Sequence, residues 1–200
     1  MSDLDKKNSS KNKTKTKILD VSARMFSKQG YNGTVLRDIA NELNMKAGSL
    51  YYHFESKEQL VLEVLNIGLQ NITDKVMAAI DALPEDATSR ERLFAAAKGH
   101  LTALLEKGDY TSTSIRNLGL LPDSVLEEVM VSRKKYENMW RTWIEEAQAK
   151  GDIRADINIK VLRLSIFGAL NRTVAWYKEG ELTINEIAEI QMGFLWDGIS

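Results

Sequence analysis

The sequence predicts an all-α fold of about nine helices, and three observations support this prediction. Apolar residues recur every three or four positions along most of the 200-residue chain, whereas the alternating β-branched pattern typical of strands is nearly absent. The chain has only two prolines, Pro84 and Pro122, and each follows a leucine at an expected helix junction. Finally, a serine or threonine followed three residues later by Glu or Gln stands before several apolar runs, which is a helix-capping pattern.

The first three helices are expected within residues 16–54. The first covers residues 16–29, with Gly30 as its C-cap, because glycine adopts the left-handed conformation that ends many helices. The second begins at Thr34, whose hydroxyl is a candidate N-cap. A tight turn at Asn44, a residue type that tolerates positive φ, then leads into the third helix at 46–54.

The fourth and fifth helices each begin with a capping pattern. Ser56 and Gln59 start a long fourth helix that ends before Pro84. Thr88 and Glu91 form the same pattern at the start of the fifth.

The rest of the chain reads as one irregular piece and three further helices. Residues 108–121 contain several threonines and serines and are expected to be irregular. A long helix follows Pro122 and ends at Gly151. The last two helices are expected over 158–178 and 183–199.

The composition excludes several classes of protein. The absence of cysteine excludes disulfide frameworks and thiolate metal sites. No uncharged apolar run approaches the roughly 18–20 residues of a membrane helix, and the N-terminus lacks the apolar segment of a signal peptide. No metal-ligand spacing, nucleophile–base pair or phosphate-cradling glycine loop is visible. We therefore expect a cytoplasmic protein that is not an enzyme and needs no metal or cofactor.

Charge is distributed unevenly along the chain. Residues 1–60 hold 11 basic and 7 acidic residues, whereas the remainder holds 16 and 21. The excess of basic residues in the first 60 positions suggests contact with a polyanion. Random scatter of charge along the chain explains these numbers equally well. Residues 1–13 are polar and lysine-rich, so we expect a disordered basic tail that either reaches nucleic-acid phosphates or is simply solvated.

The third predicted helix has a face that suits nucleic acid. At about 100° per residue, Ala47, Leu50 and Phe54 share the buried side. The opposite side and the flanks hold small residues, hydroxyls, a lysine and an imidazole but no acid: Lys46, Gly48, Ser49, Tyr51, Tyr52 and His53.

An exposed glycine inside that helix needs an explanation. Gly48 costs about 1 kcal/mol relative to alanine, and close approach of another molecule would justify it. Two short helices joined by a tight turn, the second presenting hydrogen-bond donors, match a helix-turn-helix that enters the major groove of DNA. The alternative is a helical bundle with a polar face.

Residues 18–60 resemble the DNA-binding region of the tetracycline-repressor (TetR) family of bacterial transcriptional regulators. The resemblance is carried by Phe26, Gly30-Tyr31, Thr34, "RDIA" at 37–40, "GSLY" at 48–51, "HF" at 53–54 and "SKEQL" at 56–60. It implies that Thr34 caps the second helix and holds a phosphate. It also implies that Lys46, Ala47 and Ser49 face bases or nearby phosphates. Gly48, which has no side chain, would let the DNA approach that side of the helix closely. Tyr51, Tyr52, His53 and Lys57 would contact DNA, mostly its backbone.

This sequence departs from the family pattern at three positions. Asn44 replaces the usual turn glycine, Lys46 stands where serine is usual, and Ala47 stands where lysine, arginine or proline is common. The bases that are read therefore stay open.

The resemblance also implies a domain organisation of a tail at 1–13, a DNA-binding domain at 14–58 and a ligand-binding and dimerisation domain at 59–200. Arg133 interrupts an apolar line of the helix after Pro122, and a buried cation is costly unless paired. It is therefore either a core salt-bridge partner or a pocket cation for an anionic ligand. The candidate ligand residues are Arg116, Arg133, Tyr136, Trp140, Asn171, Arg172 and Trp176.

The last two helices carry wide apolar faces, which predicts a four-helix interface in a homodimer, with burial inside one chain as the alternative. The pattern at 168–182 resembles TetR-type regulators that respond to acyl-CoA thioesters. The sequence thus predicts a repressor that binds a palindromic DNA operator and is released by an acyl-CoA or other hydrophobic effector. A repressor of an efflux gene that senses lipophilic drugs is the main rival, and a helical adaptor without DNA binding is a remote one.

Overall fold

The structure of the chain is a computed structural model that describes residues 3–106 and 108–200, with side chains described from residue 11 onward except at 114–116. Within these residues there are nine α-helices, two short 3₁₀ turns and no strand. The predicted all-α fold is therefore confirmed. The helices are α1 (Asp3–Gly33), α2 (Leu36–Glu42), α3 (Ala47–Tyr51), α4 (Lys57–Asp81), α5 (Ser89–Leu105), α6 (Asp109–Arg116), α7 (Asp123–Ala149), α8 (Ile159–Arg172) and α9 (Ile184–Asp197), with 3₁₀ turns at Leu118–Leu120 and Thr173–Ala175.

The chain divides into two compact units. The first comprises Met1–Gly68 and Asp109–Met130, and the second comprises Leu69–Gly108 and Val131–Ser200. The first unit thus includes the predicted DNA-binding segment together with α6 and the start of α7. The division into functional domains at residue 58 stays a prediction.

The first helix is longer than predicted. Residues 3–13, expected as a disordered tail, continue α1 as helix. They contain neither proline nor glycine, and adding residues to an existing helix costs far less than nucleating a new one. Gly30 breaks the helix with φ 75° and ψ 172°, which confirms the predicted stop.

Thr34 was predicted to be the N-cap of the second helix, and the structure shows that it is not. The N-cap of α2 is Val35, which has no side-chain cap. Thr34 is fully buried, and its hydroxyl donates to the carbonyl oxygen of Gly30 over 2.9 Å. Thr34 therefore stabilises the break after α1 instead of capping α2. The turn before α3 was predicted correctly, since Asn44 has φ 52°.

Residues 109–116 form a helix where an irregular segment was predicted. Thr113 is fully buried in the first unit, and its hydroxyl lies 2.7 Å from the carbonyl oxygen of Asp109 and 3.0 Å from that of Ala23 in α1. Packing against α1 supplies partners for the hydroxyl, so tertiary contacts override the weak helix propensity of threonine.

The capping predictions are confirmed at two helices and altered at a third. Thr88 with Glu91 and Thr183 with Glu186 form complete capping boxes. At α4 the hydroxyl of Ser56 accepts from the backbone N–H of Gln59, but the Gln59 side chain accepts from Glu55 instead of Ser56.

The last long helices differ from the prediction only at their ends. The structure ends α8 at Arg172 and continues as the 3₁₀ turn, whereas helix was expected to residue 178. In the second unit, α9 packs against α5 and α8.

Candidate functional site

The outward side of α3 and the turn after it form a continuous exposed surface, which we name the recognition face. Its members are Lys46, Ala47, Gly48, Ser49, Tyr51 and Tyr52. Leu50 and Phe54 are buried beneath it and hold α3 on the core of the first unit. Tyr51 and Tyr52 are 52% and 71% exposed, so both rings are free to meet a partner.

Ala47 lies on this face and not on the buried side where the helical wheel placed it. It is the first residue of α3 and follows Lys46, whose backbone is extended. The wheel describes only residues inside a regular helix, and α3 has just five residues. Gly48 has open space around it, because a Cβ added there would meet nothing within 4 Å.

His53 lies at the edge of the recognition face beside two lysines of α1. The rings of Tyr52 and His53 meet edge to face, 5.4 Å apart. The Nζ of Lys11 lies 4.9 Å from the centre of the Tyr52 ring, and that of Lys15 lies 5.5 Å from the centre of the Phe54 ring. Burial lowers the pKa of His53, and the charges of Lys11 and Lys15 lower it further. His53 is therefore neutral at pH 7, and its Nδ1 is buried without a hydrogen-bond partner in the described part of the chain.

Lys57, the first residue of α4, is held by an aromatic ring. Its Nζ lies 4.2 Å from the centre of the Tyr31 ring, a cation–π distance. Burial lowers the pKa of Lys57, and the neighbouring carboxylate of Glu58 opposes that shift. The Tyr31 hydroxyl donates to Glu58 over 2.6 Å, so the lysine, the ring and the carboxylate form one fixed group.

The second unit contains a buried polar group that we name the buried cluster: His100 of α5, Tyr136 and Trp140 of α7, and Asn171 of α8. The Nδ1 of His100 lies 2.7 Å from the Tyr136 hydroxyl, and its Nε2 lies 3.0 Å from Oδ1 of Asn171. A carbonyl oxygen only accepts, so this arrangement puts the imidazole proton on Nε2 and lets Nδ1 accept from Tyr136.

Burial controls the protonation of this cluster. It lowers the pKa of His100 to about 4, with the nearby Arg133 charge adding to the shift and the Asn171 hydrogen bond opposing it. Burial likewise raises the pKa of the Tyr136 hydroxyl. Both groups are thus neutral at pH 7.

Aromatic rings surround the cluster, and one hydrogen-bond donor within it is poorly satisfied. The Phe167 ring lies 5.4–5.9 Å from those of His100, Tyr136 and Trp140. Trp140 is fully buried, and its indole N–H makes no hydrogen bond of good geometry within the described residues, but it lies close enough to the Tyr136 hydroxyl to lower the pKa of that group. A buried donor without a good hydrogen bond costs about 1–3 kcal/mol. An acceptor atom of a bound ligand would recover part of that free energy.

The predicted ligand residues separate into two groups. Tyr136, Trp140 and Asn171 come together, and Arg133 is half-buried near them, with no ion pair within 4.0 Å among the side chains described. Burial lowers the pKa of Arg133, and the Glu137 charge opposes that shift. Arg172 and Trp176 instead lie on the surface, and the side chain of Arg116 lies outside the described residues.

Sequence reasoning missed His100 and Phe167. The only signal for His100 was a polar ring on the apolar line of α5 that contains Ala97, Leu101 and Leu104. Phe167 gave no signal, since one more aromatic residue in an apolar helix is ordinary.

The described residues contain no group of three or more His, Cys, Asp or Glu side chains arranged to hold a metal ion. Likewise, no helix within those residues has both the length and the apolar character needed to span a membrane.

Comparisons with known proteins show which family the chain is similar to. A family model described as "Bacterial regulatory proteins, tetR family" matches residues 18–64, and one described as "Tetracyclin repressor-like, C-terminal domain" matches residues 86–199. The chain is 25% identical over 201 residues to the HTH-type transcriptional repressor KstR2 of Rhodococcus jostii (strain RHA1), covering 96% of this chain and 94% of that protein.

A shorter stretch of 46 residues is 52% identical to the biofilm operon icaADBC HTH-type negative transcriptional regulator IcaR of Staphylococcus aureus (strain Newman), covering 23% of this chain and 25% of IcaR. The solved structure of AibR in complex with isovaleryl coenzyme A and operator DNA aligns with a TM-score of 0.81 and 25% identity over 91% of this chain and 97% of that one. Since one family model alone matches more than half of the chain, the protein belongs to the TetR family and is a ligand-responsive, DNA-binding transcriptional regulator.

Proposed function

We propose that this regulator is a cytoplasmic repressor that binds a palindromic operator as a homodimer and releases it when an acyl-CoA-type effector binds in the second unit. The observation that carries the effector proposal is the half-buried Arg133, which lacks an ion pair within the described side chains and lies near the buried indole N–H of Trp140, a donor without a hydrogen bond of good geometry. In this proposal residues 14–58 bind DNA, and residues 59–200 bind the effector and the second subunit.

The recognition face would enter the major groove. Lys46, Ala47 and Ser49 are exposed on α3 and would face base edges, while the open space at Gly48 lets the DNA come close. Tyr51, Tyr52, His53 and Lys57 would contact the backbone, because hydroxyl, imidazole and ammonium groups donate to phosphate oxygens. The buried Thr34 would act only indirectly, by fixing the break after α1.

The homodimer would form on the outer sides of α8 and α9. These sides expose large apolar residues, of which Phe194 is 79% exposed and Val161 60%. Leu164 and Ile190 are also exposed, at 52% and 46%. Grouped apolar exposure of this kind marks an interaction surface. A homodimer with two-fold symmetry would present two recognition faces, and a palindromic operator offers them major grooves about 34–36 Å apart.

The buried cluster would recognise the polar part of the effector. A thioester carbonyl accepts hydrogen bonds and suits the poorly satisfied indole N–H of Trp140, while an anionic phosphate or carboxylate suits Arg133. The aromatic rings around them would contact the acyl chain. A neutral lipophilic drug would need no cation, so Arg133 favours an anionic effector over the drug-sensing alternative.

Release would follow from a shift between two conformations of the dimer. Both α4 and α7 contribute residues to each compact unit, so either helix can carry a change from the effector site to the recognition face. An effector shifts this equilibrium only by as much as it favours one conformation.

The test uses the full chain and operator DNA selected from genomic fragments of its host. Fluorescence anisotropy would measure operator affinity during titration with isovaleryl-CoA, octanoyl-CoA, free coenzyme A and octanoate. We expect at least one acyl-CoA to weaken operator binding tenfold or more and to change tryptophan fluorescence. If none of them changes operator affinity while a neutral lipophilic compound does, the drug-sensing function replaces this one.

A matched pair of arginine variants sharpens the test. Arg133→Gln removes the half-buried cation, whereas Arg141→Gln removes an exposed arginine that pairs with Glu145 on the same helix. We expect Arg133→Gln to raise the acyl-CoA concentration needed for release by tenfold or more and Arg141→Gln to leave it unchanged. Equal responses of the two variants would contradict the role of Arg133.

A further inference from the structure

We propose that Asn117 is a positioning residue for DNA recognition: its buried side-chain amide fixes the break after α1 and thereby places Tyr31 and Lys57. Asn117 follows α6 directly and lies 86 positions after Tyr31 in the chain. The inference rests on the proposed function, in which Lys57 contacts a phosphate of the DNA backbone. It does not depend on the effector or on the dimer interface.

The amide of Asn117 bonds to the backbone on both sides of the break at Gly30. Its Nδ2 donates to the carbonyl oxygen of Phe26 over 3.1 Å, before the break. Its Oδ1 accepts from the backbone N–H of Tyr31 over 2.6 Å, directly after the break. A carboxamide has the donor and the acceptor of a peptide group, so Asn117 bridges the point where the helical path of α1 is interrupted.

The surroundings of Asn117 suit an amide and no other side chain of its shape. Asn117 is fully buried, and its Nδ2 also donates to the carbonyl oxygen of Thr113 over 3.0 Å. Leucine would bond to none of these backbone groups, and aspartate would place a carboxylate against two carbonyl oxygens. Either residue would leave buried polar groups without these partners. The amide therefore holds the chain in the direction that Gly30 gives it, with φ 75° and ψ 172°.

Tyr31 carries the position of the break to the start of α4. Its buried ring stacks on that of Phe26, with 6.2 Å between the ring centres. Its hydroxyl donates to Glu58 over 2.6 Å, and its ring centre lies 4.2 Å from Nζ of Lys57. Asn117 holds the backbone of this tyrosine, while the side chain holds α4. A support of this kind fixes the ammonium of Lys57 before a phosphate arrives.

The first measurement needs no DNA. The hydrogen bond from Tyr31 is the main cause that lowers the pKa of the Glu58 carboxyl. We expect Asn117→Ala to raise that pKa towards its ordinary value, because the Tyr31 hydroxyl would no longer be held against the carboxylate. NMR titration of the full chain with ¹³C-labelled glutamate measures the pKa, and Glu58→Gln assigns the resonance.

Thr113→Val is the matched control. Thr113 is also fully buried, and its hydroxyl bonds to the carbonyl oxygen of Ala23 in α1, but not at the break. Both variants lose a buried hydrogen bond between α1 and the chain around α6, so both should be less stable, but only Asn117→Ala should raise the pKa of Glu58. An unchanged pKa in Asn117→Ala, or equal shifts in the two variants, would overturn the positioning role. If Asn117→Ala does not fold, Asn117→Ser replaces it, because its shorter hydroxyl keeps a polar group but cannot span the break.

The second measurement links this support to DNA. Fluorescence anisotropy measures operator affinity from 50 to 300 mM KCl for the wild type, Asn117→Ala, Lys57→Ala and the double variant. Although Asn117 carries no charge, we expect Asn117→Ala to reduce the slope of log K against log salt by about 1 for each bound subunit, as Lys57→Ala does. The double variant should lose no more than Lys57→Ala alone, and Thr113→Val should keep the wild-type slope.

The outcomes separate this inference from the proposed docking onto DNA. A wild-type slope in Asn117→Ala, or losses that add in the double variant, would overturn the role of Asn117. If the wild type shows no salt-dependent operator binding, or Lys57→Ala keeps the wild-type slope, the proposed docking fails instead. The titration of Glu58 would then still report whether Asn117 positions Tyr31.

Discussion

The recognition face and the buried cluster use the same kinds of residue in opposite environments. Tyr52 is 71% exposed on the recognition face, whereas Tyr136 in the buried cluster is only 6% exposed. His53 leaves Nδ1 unpartnered within the described chain, whereas both ring nitrogens of His100 lie within hydrogen-bond distance of a partner. The first region keeps its polar groups available for another molecule, and the second uses them to hold three helices together.

This difference separates affinity from stability. If the recognition face binds DNA as proposed, a group on it gains its interaction only on binding, so removing it should weaken binding and leave the folded chain almost unchanged. A group in the buried cluster contributes before any effector arrives, so removing it changes the free energy of unfolding as well. The predictions below test that separation, from the largest expected effect to the smallest.

The largest effect is expected for His100→Leu. Leucine has a similar volume but leaves the Tyr136 hydroxyl and the Asn171 amide without their shared partner. Each buried unsatisfied group costs about 1–3 kcal/mol, so we expect the free energy of unfolding to fall by about 3 kcal/mol. Urea denaturation at fixed protein concentration measures it.

Tyr52→Phe is the control on the other region. It removes only an exposed hydroxyl, so its unfolding free energy should stay within about 0.5 kcal/mol of the wild type. If the free energy of unfolding fell by a similar amount in His100→Leu and Tyr52→Phe, the two regions would not differ in their contribution to stability.

A pH-dependent effect of nearly the same size is expected from His100 itself. Its pKa is lowered from 6.5 to about 4 in the folded chain, so below pH 6.5 the unfolded chain binds a proton that the folded chain does not. The stability that His100 contributes is complete above about pH 6.5 and is lost as the pH falls towards 4. The loss amounts to roughly 3 kcal/mol at about 1.4 kcal/mol for each pKa unit.

The His100→Leu variant is the reference for that measurement. The difference in unfolding free energy between wild type and variant should shrink as the pH is lowered from 7 to 4, because only the wild type loses this contribution. A difference that stays constant over this range would mean that His100 has the same pKa in the folded and the unfolded chain.

A smaller loss is expected for Gly99→Ala, one residue before His100 in α5. A Cβ at this position would lie 2.7 Å from the backbone oxygen of Lys75 and 2.7 Å from Cα of Val76, both in the part of α4 that belongs to the second unit. Backbone atoms cannot turn aside as a flexible side chain can, so α5 must shift. We expect a loss of about 2 kcal/mol by urea denaturation.

The same variant tests whether α5 positions the buried cluster. If it does, Gly99→Ala should also lower the affinity for the acyl-CoA that we expect to release the wild type, whereas operator affinity without effector should change less than twofold. An unchanged unfolding midpoint would contradict the close approach of the two helices.

The parts of the fold that the sequence predicted correctly depend on local signals. The capping boxes at Thr88 and Thr183 involve residues three positions apart, and the positive φ of Gly30 and Asn44 reflects the residue's own preference. The recognition face follows from the same kind of evidence, because exposed positions in a short motif do not depend on distant partners.

The features that the sequence did not predict depend on distant residues. His100 meets Tyr136 36 positions away and Asn171 71 positions away, and no local pattern encodes those pairs. Thr113 is held by Ala23, 90 positions earlier, which turns a segment of low helix propensity into α6. Arg133 shows the intermediate case, because its place in an apolar line marked it as unusual without saying what it faces.

The smallest effect is expected for Gly48→Ala, and it should have opposite signs for stability and for binding. A Cβ at residue 48 meets nothing within 4 Å, and alanine is the better helix former, so the free energy of unfolding should rise by about 0.5 kcal/mol. The added methyl group stands on the side of α3 that we expect to approach the DNA, so operator affinity should fall about tenfold or more. Urea denaturation and fluorescence anisotropy on the same preparation measure both quantities.

Gly119→Ala is a suitable control, because it too adds a methyl group with nothing within 4 Å, but in the 3₁₀ turn after α6 and not in α3. A gain in stability with unchanged operator affinity would show that Gly48 is not where the DNA backbone or bases come close, and the recognition face would then need a different docking orientation.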